Sequence, residues 1–148
     1  MHEYELHKRL GYRVSRLSRI MQSRLEQILG EHRITRLAWC ALTGIGEEGV
    51  STPSELAVYI GVTRPATSRL LRDLEARGLV ARANGSADGR SVTLSLTEMG
   101  EKITRKSRVL VDEMNQHFKA KLDPEHLAQV LRGLEILSAG EDEKLTHL

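Results

Sequence analysis

Apolar residues recur in steps of three and four at Leu6, Leu10, Val14, Leu17, Met21, Leu25 and Ile28, the spacing of one face of a long helix running from Leu6 to Leu29. Gly30 suits its end. The stretch ITRLAWCAL sets Ile34, Leu37, Ala38, Ala41 and Leu42 on one side of a shorter helix, which the glycines beginning at Gly44 are expected to stop. Thr52 to Glu55, TPSE, has the form of a capping box with Pro53 at the first helical position. The short helix it opens runs through Leu56, Ala57 and Ile60 and breaks at Gly61. Thr63 then caps a further helix that buries Ala66, Leu70, Leu71 and Leu74 and ends at Arg77-Gly78, where glycine can turn left-handed. From Leu79 the period changes. LVARA (79–83) and SVTLSL (91–96) alternate apolar with polar residues around the turn-rich NGSADGR, which reads as a β-hairpin. Ile103, Leu110, Met114 and Phe118 trace another long helix, and Asp123 with Pro124 opens a last one through Leu127, Val130, Leu131, Leu134 and Leu137.

One loop invites a different chemistry. GIGEEG, Gly44 to Gly49, has the G-x-G-x-x-G spacing that brings backbone amides against a pyrophosphate. That use needs a strand before it, a helix starting within it, and an acidic residue roughly 20 positions later. Here the preceding segment reads as helix, VSTPSE follows, and position 69 is Arg. Glu47 and Glu48 would also repel an anionic ligand. The hexapeptide reads as a turn, and a nucleotide-using enzyme has no further support: no nucleophile with a base and no carboxylate pair stands in a credible setting.

Composition narrows the class. The chain has 148 residues, 40% apolar, 28% charged and only 3% aromatic, so one core built mostly from aliphatic side chains is expected. That favours a mainly α fold. The single cysteine, Cys40, excludes an internal disulfide and any multi-cysteine zinc site. The histidines at 2, 7, 32, 117, 126 and 147 include no pair at i and i+4, so no metal site and no cofactor is expected. There is no 18-residue apolar run, and MHEYELHKRL is charged where a signal peptide would be apolar. A soluble cytoplasmic protein with no membrane partner is expected.

The net charge of +2 hides a local asymmetry. Residues 64–90 carry six cations against three acids, and every cation is arginine: Arg64, Arg69, Arg72, Arg77, Arg82 and Arg90. Arginine presents a planar fork of donors suited to phosphates and guanine edges. The same cluster would also serve as a solvated charged face, so the elements around it decide. Two short helices about a glycine turn form a helix-turn-helix, and a hairpin directly after it makes a winged helix. In that setting the first turn of the second helix, Thr63 to Ser68 with Pro65, turns backbone N–H groups toward a phosphate. Thr67 and Ser68 can bond to base edges or phosphates, Ala66 allows approach to a thymine methyl, and Arg64, Arg69 and Arg72 can reach guanine or the backbone. Which of them reads bases stays open. Arg90 at the wing tip can enter a narrow minor groove with Asp88 holding its guanidinium.

SELAVYIGVTRPATSRLLRDLEARGLVAR followed by DGRSVTLSLTEMG resembles the multiple-antibiotic-resistance regulator (MarR) family of bacterial transcription factors. The similarity extends over nearly the whole chain, with a long helix before the winged helix and two after it. The resemblance implies a homodimer that binds a palindromic operator on double-stranded DNA and usually represses, with release by a small ligand or an oxidant. One position departs from the pattern: Gly89 stands where the family often has a second wing arginine. The fold expected is mainly α with a small β-hairpin wing: one domain over 1–148, with a winged helix-turn-helix DNA-binding lobe at 34–97. Long helices in 1–33 and 98–148 are expected to form a dimerisation lobe.

The resemblance also implies an effector cleft between the first, second and fifth helices, where anionic aromatic compounds bind. Arg13, Arg16 and Trp39 are the candidates for a small-molecule site, although arginines are commonly solvated and tryptophan commonly core. Cys40 as an oxidant sensor is an alternative, but its neighbours LAWCAL are apolar, and burial makes a thiol inert. A winged-helix module serving protein interaction without DNA is the other.

Overall fold

The computed structural model describes residues 4–85 and 91–141. A 3-10 turn at Leu6–Lys8 leads into α1 (Leu10–Gly30), followed by α2 (Arg36–Glu47), α3 (Pro53–Ile60) and α4 (Arg64–Ala76). A hairpin of β1 (Val80–Asn84) and β2 (Val92–Leu96) comes next, then α5 (Glu98–Lys119) and α6 (Pro124–Ser138). The strands are antiparallel, with Val80 opposite Leu96 and Asn84 opposite Val92. Among the described residues no helix is long and apolar enough to cross a membrane.

Local side chains start these helices. Thr35, Thr52, Thr63, Thr97 and Asp123 each accept a backbone N–H three residues on, opening α2 to α6. Such caps satisfy amides that the helix itself leaves unpaired. At α3 the box is complete: Thr52 Oγ1 accepts from the Glu55 amide, and the Glu55 carboxylate accepts from the Ser51 and Thr52 amides. Those bonds hold the Glu55 carboxyl below its ordinary range.

Two expectations about ends are corrected, at the start of α1 and the end of α2. Helix α1 does not run unbroken from Leu6, because Arg9 is extended (φ −77°, ψ 144°) and separates the 3-10 turn from Leu10. The apolar period crosses that break, so the pattern alone conceals it. Gly30 is the last residue of α1, as expected, and the chain reverses three residues later at Arg33, at φ 56°. Finally, α2 passes through Gly44 and Gly46 to Glu47, and the turn is made by Gly49 at φ 72°. Gly44 and Gly46 serve packing instead. A Cβ at Gly44 would lie 2.8 Å from the Tyr59 ring, and one at Gly46 would lie 2.5 Å from Leu96 Cδ1. Glycine there costs about 1 kcal/mol of helix propensity and admits those side chains.

The core lies where α2, α3, α4, the hairpin and the end of α1 converge: Leu29, Ile34, Leu42, Leu56, Leu71 and Leu94 are all buried. Alternation predicts β2 well, with Leu94 inward and Thr93 and Ser95 exposed, whereas in β1 only Val80 is buried. The Leu94 N–H also donates to the Ser51 carbonyl (2.7 Å), tying the hairpin to the start of α3. Helix α5 meets this core through Ile103 and Val111 and, most closely, through the buried Gly100, Thr104 and Ser107, which apolar spacing does not register. Other apolar positions stay open. Leu10, Val14 and Leu17 on α1 and Val130, Leu131, Leu134 and Leu137 on α6 are all exposed.

Candidate nucleic-acid interface

Helix α3 closes on Gly61 (φ 77°), whose amide and that of Val62 both donate to the Ala57 carbonyl. The chain can then re-enter a helix at Thr63 within three residues, which sets α4 across α3. Burial divides α4 sharply. Thr67, Leu71 and Leu74 are buried, with Ala66 and Leu70 beside them partly covered. Arg64, Pro65, Ser68, Arg69, Arg72 and Asp73 are exposed. With 3.6 residues per turn, Pro65, Arg69 and Arg72 fall opposite the buried stripe, at the centre of the outward face.

Two parts of the expected DNA surface change. Thr67 belongs to the inner face: it is 1% exposed, and its hydroxyl donates to the Thr63 carbonyl (2.9 Å). It is therefore withdrawn from direct contact. The first turn also offers fewer amides than expected, since Pro65 has none and that of Ala66 is taken by Thr63 Oγ1 (3.3 Å). The helix dipole remains, and with it the Arg64 amide.

The arginine cluster separates into two groups. Arg77 donates from Nη2 to the Arg33 carbonyl (2.7 Å) and lies 3.8 Å from Asp73. Arg82 pairs with Glu75 at 3.2 Å. Both are engaged within the chain, Arg82 with half-buried Glu75 and Arg77 with the Arg33 carbonyl, while Asp73 stays exposed beside Arg77. Arg72 keeps its Nε on the Ser68 carbonyl (3.3 Å) with the rest of its fork outward. Arg64 and Arg69 make no ion pair among the described residues, so these three arginines carry the positive charge of the outward face. At the hairpin, the Gly85 amide donates to the Ser91 carbonyl (2.9 Å), closing the ladder beneath the wing tip. Asp88 and Arg90 lie outside the described residues.

The expected effector residues are not gathered in one place. An open depression of about 860 Å³ along α1 is lined by Tyr12, Arg16, Arg19, Ile20, Ser23 and Arg24 among others, and includes neither Arg13 nor Trp39. Arg13 instead donates to the His7 carbonyl, and Trp39 packs on the core. Cys40 is half-buried beside that core, and burial pushes its thiol above the ordinary range against the opposing effect of Arg36. A thiol so placed is a poor nucleophile toward oxidants. A long-range ion pair that spacing does not announce, Arg108 with Glu47 at 2.9 Å, joins α5 to the end of α2.

Residues 34–91 match the MarR family. The whole arrangement is similar to solved structures of comparable length. MepR of Staphylococcus aureus in complex with DNA is 27% identical with a TM-score of 0.80, covering 88% of this chain and 98% of that one. A mutant of MarR from Escherichia coli, complexed with operator DNA, is 25% identical with a TM-score of 0.79, covering 90% and 98%. A family protein of Mycobacterium tuberculosis in complex with p-aminosalicylic acid is 26% identical with a TM-score of 0.68, covering 88% and 99%.

Proposed function

We propose that this chain, a winged-helix protein of the MarR family, is a DNA-binding transcription regulator that represses from a palindromic operator as a homodimer. Helix α4 enters the major groove and the wing the adjacent minor groove. The observation that carries this reading is the outward face of α4, where Arg64, Arg69 and Arg72 are exposed, against one exposed acid of the helix, Asp73, which lies beside Arg77, while Glu75 pairs with Arg82. Pro65, Arg69 and Arg72 at the centre of that face are the base-reading candidates: arginine forks suit guanine O6 and N7, and the proline ring suits a thymine methyl. Arg64 and Ser68, to one side, serve the phosphates. Asp88 and Arg90 complete the contact in the minor groove.

Residues 34–97 act as the reading lobe, and 1–33 with 98–148 as the dimerisation lobe. The exposed apolar rows on α1 and α6 support the second assignment, since neither is covered within one copy. Release of DNA by a small anionic compound is the regulatory input. It is supported by the arginines and Tyr12 along the α1 depression and by the relative that carries p-aminosalicylic acid.

Selection from a random duplex pool, followed by fluorescence anisotropy against salt, tests the reading. A two-fold consensus is expected, with log K falling against log salt at a slope several units negative. Arg69→Ala is expected to weaken the selected site by roughly 1 to 3 kcal/mol and relax preference at one position per half-site. Absence of binding to every duplex at low salt would end the proposal.

A further inference from the structure

Helices α1 and α4 end in the same way and are fastened to each other. At the end of α1 the Arg33 amide donates to Gly30 (3.0 Å) and the Ile34 amide to Leu29 (3.1 Å). At the end of α4 the Gly78 amide donates to Glu75 and the Leu79 amide to Leu74, both at 2.9 Å. Each is a Schellman closure, sealed by a buried apolar pair: Ile34 with Leu29, Leu79 with Leu74. The left-handed position is glycine in α4 (Gly78, φ 71°) but arginine in α1, the one described non-glycine residue with positive φ. An L side chain is strained there. The carbonyl of that same Arg33 accepts Arg77 Nη2 at 2.7 Å, across 44 positions of sequence.

The other side of the α4 terminus is fastened as well. Thr97 donates from Oγ1 to Gly78 (2.6 Å) and from its amide to Leu79 (3.1 Å). Gly100 lies so close beneath Leu79 that an added Cβ would meet its carbonyl oxygen at 2.0 Å. The recognition helix thus hangs from the start of α5 on one side and from the end of α1 on the other. Among the described residues, Arg77 supplies the one hydrogen bond between α4 and the α1–α2 corner. The bond is charge-assisted and made at the negative end of α1.

We propose that Arg77 is a positioning residue that fixes the tilt of α4 on the long helices. It thereby sets the half-site spacing the dimer accepts without itself touching DNA. This rests on the operator-binding dimer proposed above. Phosphate contacts tolerate a change of tilt, whereas simultaneous insertion of two helices at a fixed separation does not.

The test uses the full chain with Arg77→Gln, Arg77→Lys and Arg33→Gly, the last keeping the carbonyl while relieving its strain. Thermal midpoint and sedimentation establish folding and assembly. Affinity is then measured on the duplex selected by the unmodified protein, on the same half-sites respaced by one base pair, and on a scrambled duplex, each across salt. Arg77→Gln is expected to lose about tenfold on the selected duplex and little on the scrambled one, to discriminate spacing less, and to keep its salt slope. Arg77→Lys, which retains a charged donor, should recover most of that loss, and Arg33→Gly should match the unmodified protein. The proposal is overturned if folded Arg77→Gln binds the selected duplex undiminished. It is equally overturned if binding falls alike on both duplexes with a slope smaller by about one, the mark of a lost phosphate contact. Should Arg77→Gln not fold, the ratio of selected to scrambled binding in Arg77→Lys decides: at or slightly below the unmodified ratio with an unchanged slope supports the proposal, and a reduced slope overturns it. If the unmodified protein selects no duplex, the regulator reading itself fails and this inference falls with it.

Discussion

Cys40 illustrates how one side chain's environment decides its role. Leaving water disfavours its thiolate, and although Arg36 one turn away favours the charged form, burial outweighs it. Its pKa therefore lies higher in the folded chain than in the unfolded one. The sign follows: the contribution to stability is intact below the ordinary thiol value and declines as pH rises from there through the raised folded value. Tyr59, pushed up by burial and by Glu48, acts in the same direction at higher pH. Urea midpoints for the unmodified protein and Cys40→Ala should hold a constant difference up to about pH 8 and then converge or cross as the buried thiol ionises. A constant offset to about pH 10.5 would mean that the thiol is not desolvated. At this scale the sequence was legible where the cause was local. The apolar neighbours of Cys40 foretold its burial, and the threonine before each short helix foretold its cap. Thr67 was misread because Thr, Ser and Arg in one turn look equally polar in sequence, and only the packing of α3 against α4 turns Thr67 inward. Which arginines of the 64–90 cluster are tied up inside the chain was not legible either, since the Arg33 carbonyl that takes Arg77 lies 44 positions away and Glu75 meets Arg82 only once the hairpin folds back.

Elements were predicted in kind and order, and at most of their ends, but the start of α1 and the end of α2 were missed. Helix type follows from the apolar period, which α1 to α6 carry plainly, and the hairpin from the change of period at Leu79. Ends depend on what lies across the fold. Two glycines did not stop α2, because Tyr59 and Leu96 use the space they leave. On α5 the apolar count finds Ile103, which packs on the core with Val111, but not the closest approach, which Gly100, Thr104 and Ser107 make. The Thr104 hydroxyl returns to the Gly100 carbonyl (2.7 Å), which lets a polar residue be buried without an unpaired donor. Such a seam tolerates no enlargement at its tightest point. Gly100→Ala would force Cβ into the Leu79 backbone and is expected to cost about 3 kcal/mol, read as a fall in the urea midpoint at unchanged slope. Gly46→Ala provides the contrast. The atom it meets is the mobile end of Leu96, and Ala gains helix propensity, so the change should stay within about 1 kcal/mol. Equal costs at the two sites would mean that the α5 seam is not packed as described.

For the molecule as a whole, the balance of covered and uncovered apolar surface is the informative quantity. The core between the end of α1, α3, α4 and the hairpin is closed, with Leu29, Leu56, Leu71, Leu74 and Leu79 all fully or nearly fully buried. Helix α6 buries no residue at all, yet Leu127, Val130, Leu131, Leu134 and Leu137 keep the spacing of a core-facing stripe. A polar-capped helix with its apolar face in water is marginal by itself at this length. Leu6, Leu10, Val14 and Leu17 on the other end of the chain present a second uncovered row. In the proposed homodimer a second copy would cover both rows at once, and two-fold symmetry would then place two α4 helices on one side of the assembly. Each buried leucine of such an interface contributes about 1.5 to 3 kcal/mol, and a charge in its place would have to be desolvated. Leu134→Glu is therefore expected to shift sedimentation from dimer to monomer at micromolar concentration and to abolish binding to a two-half-site duplex. The same protein should retain the salt-dependent, sequence-independent binding of a single reading half, because Arg64, Arg69 and Arg72 are untouched. A variant that stays dimeric and still binds the selected duplex would mean that α6 is covered by something other than its own copy, and that the two reading heads are held together elsewhere.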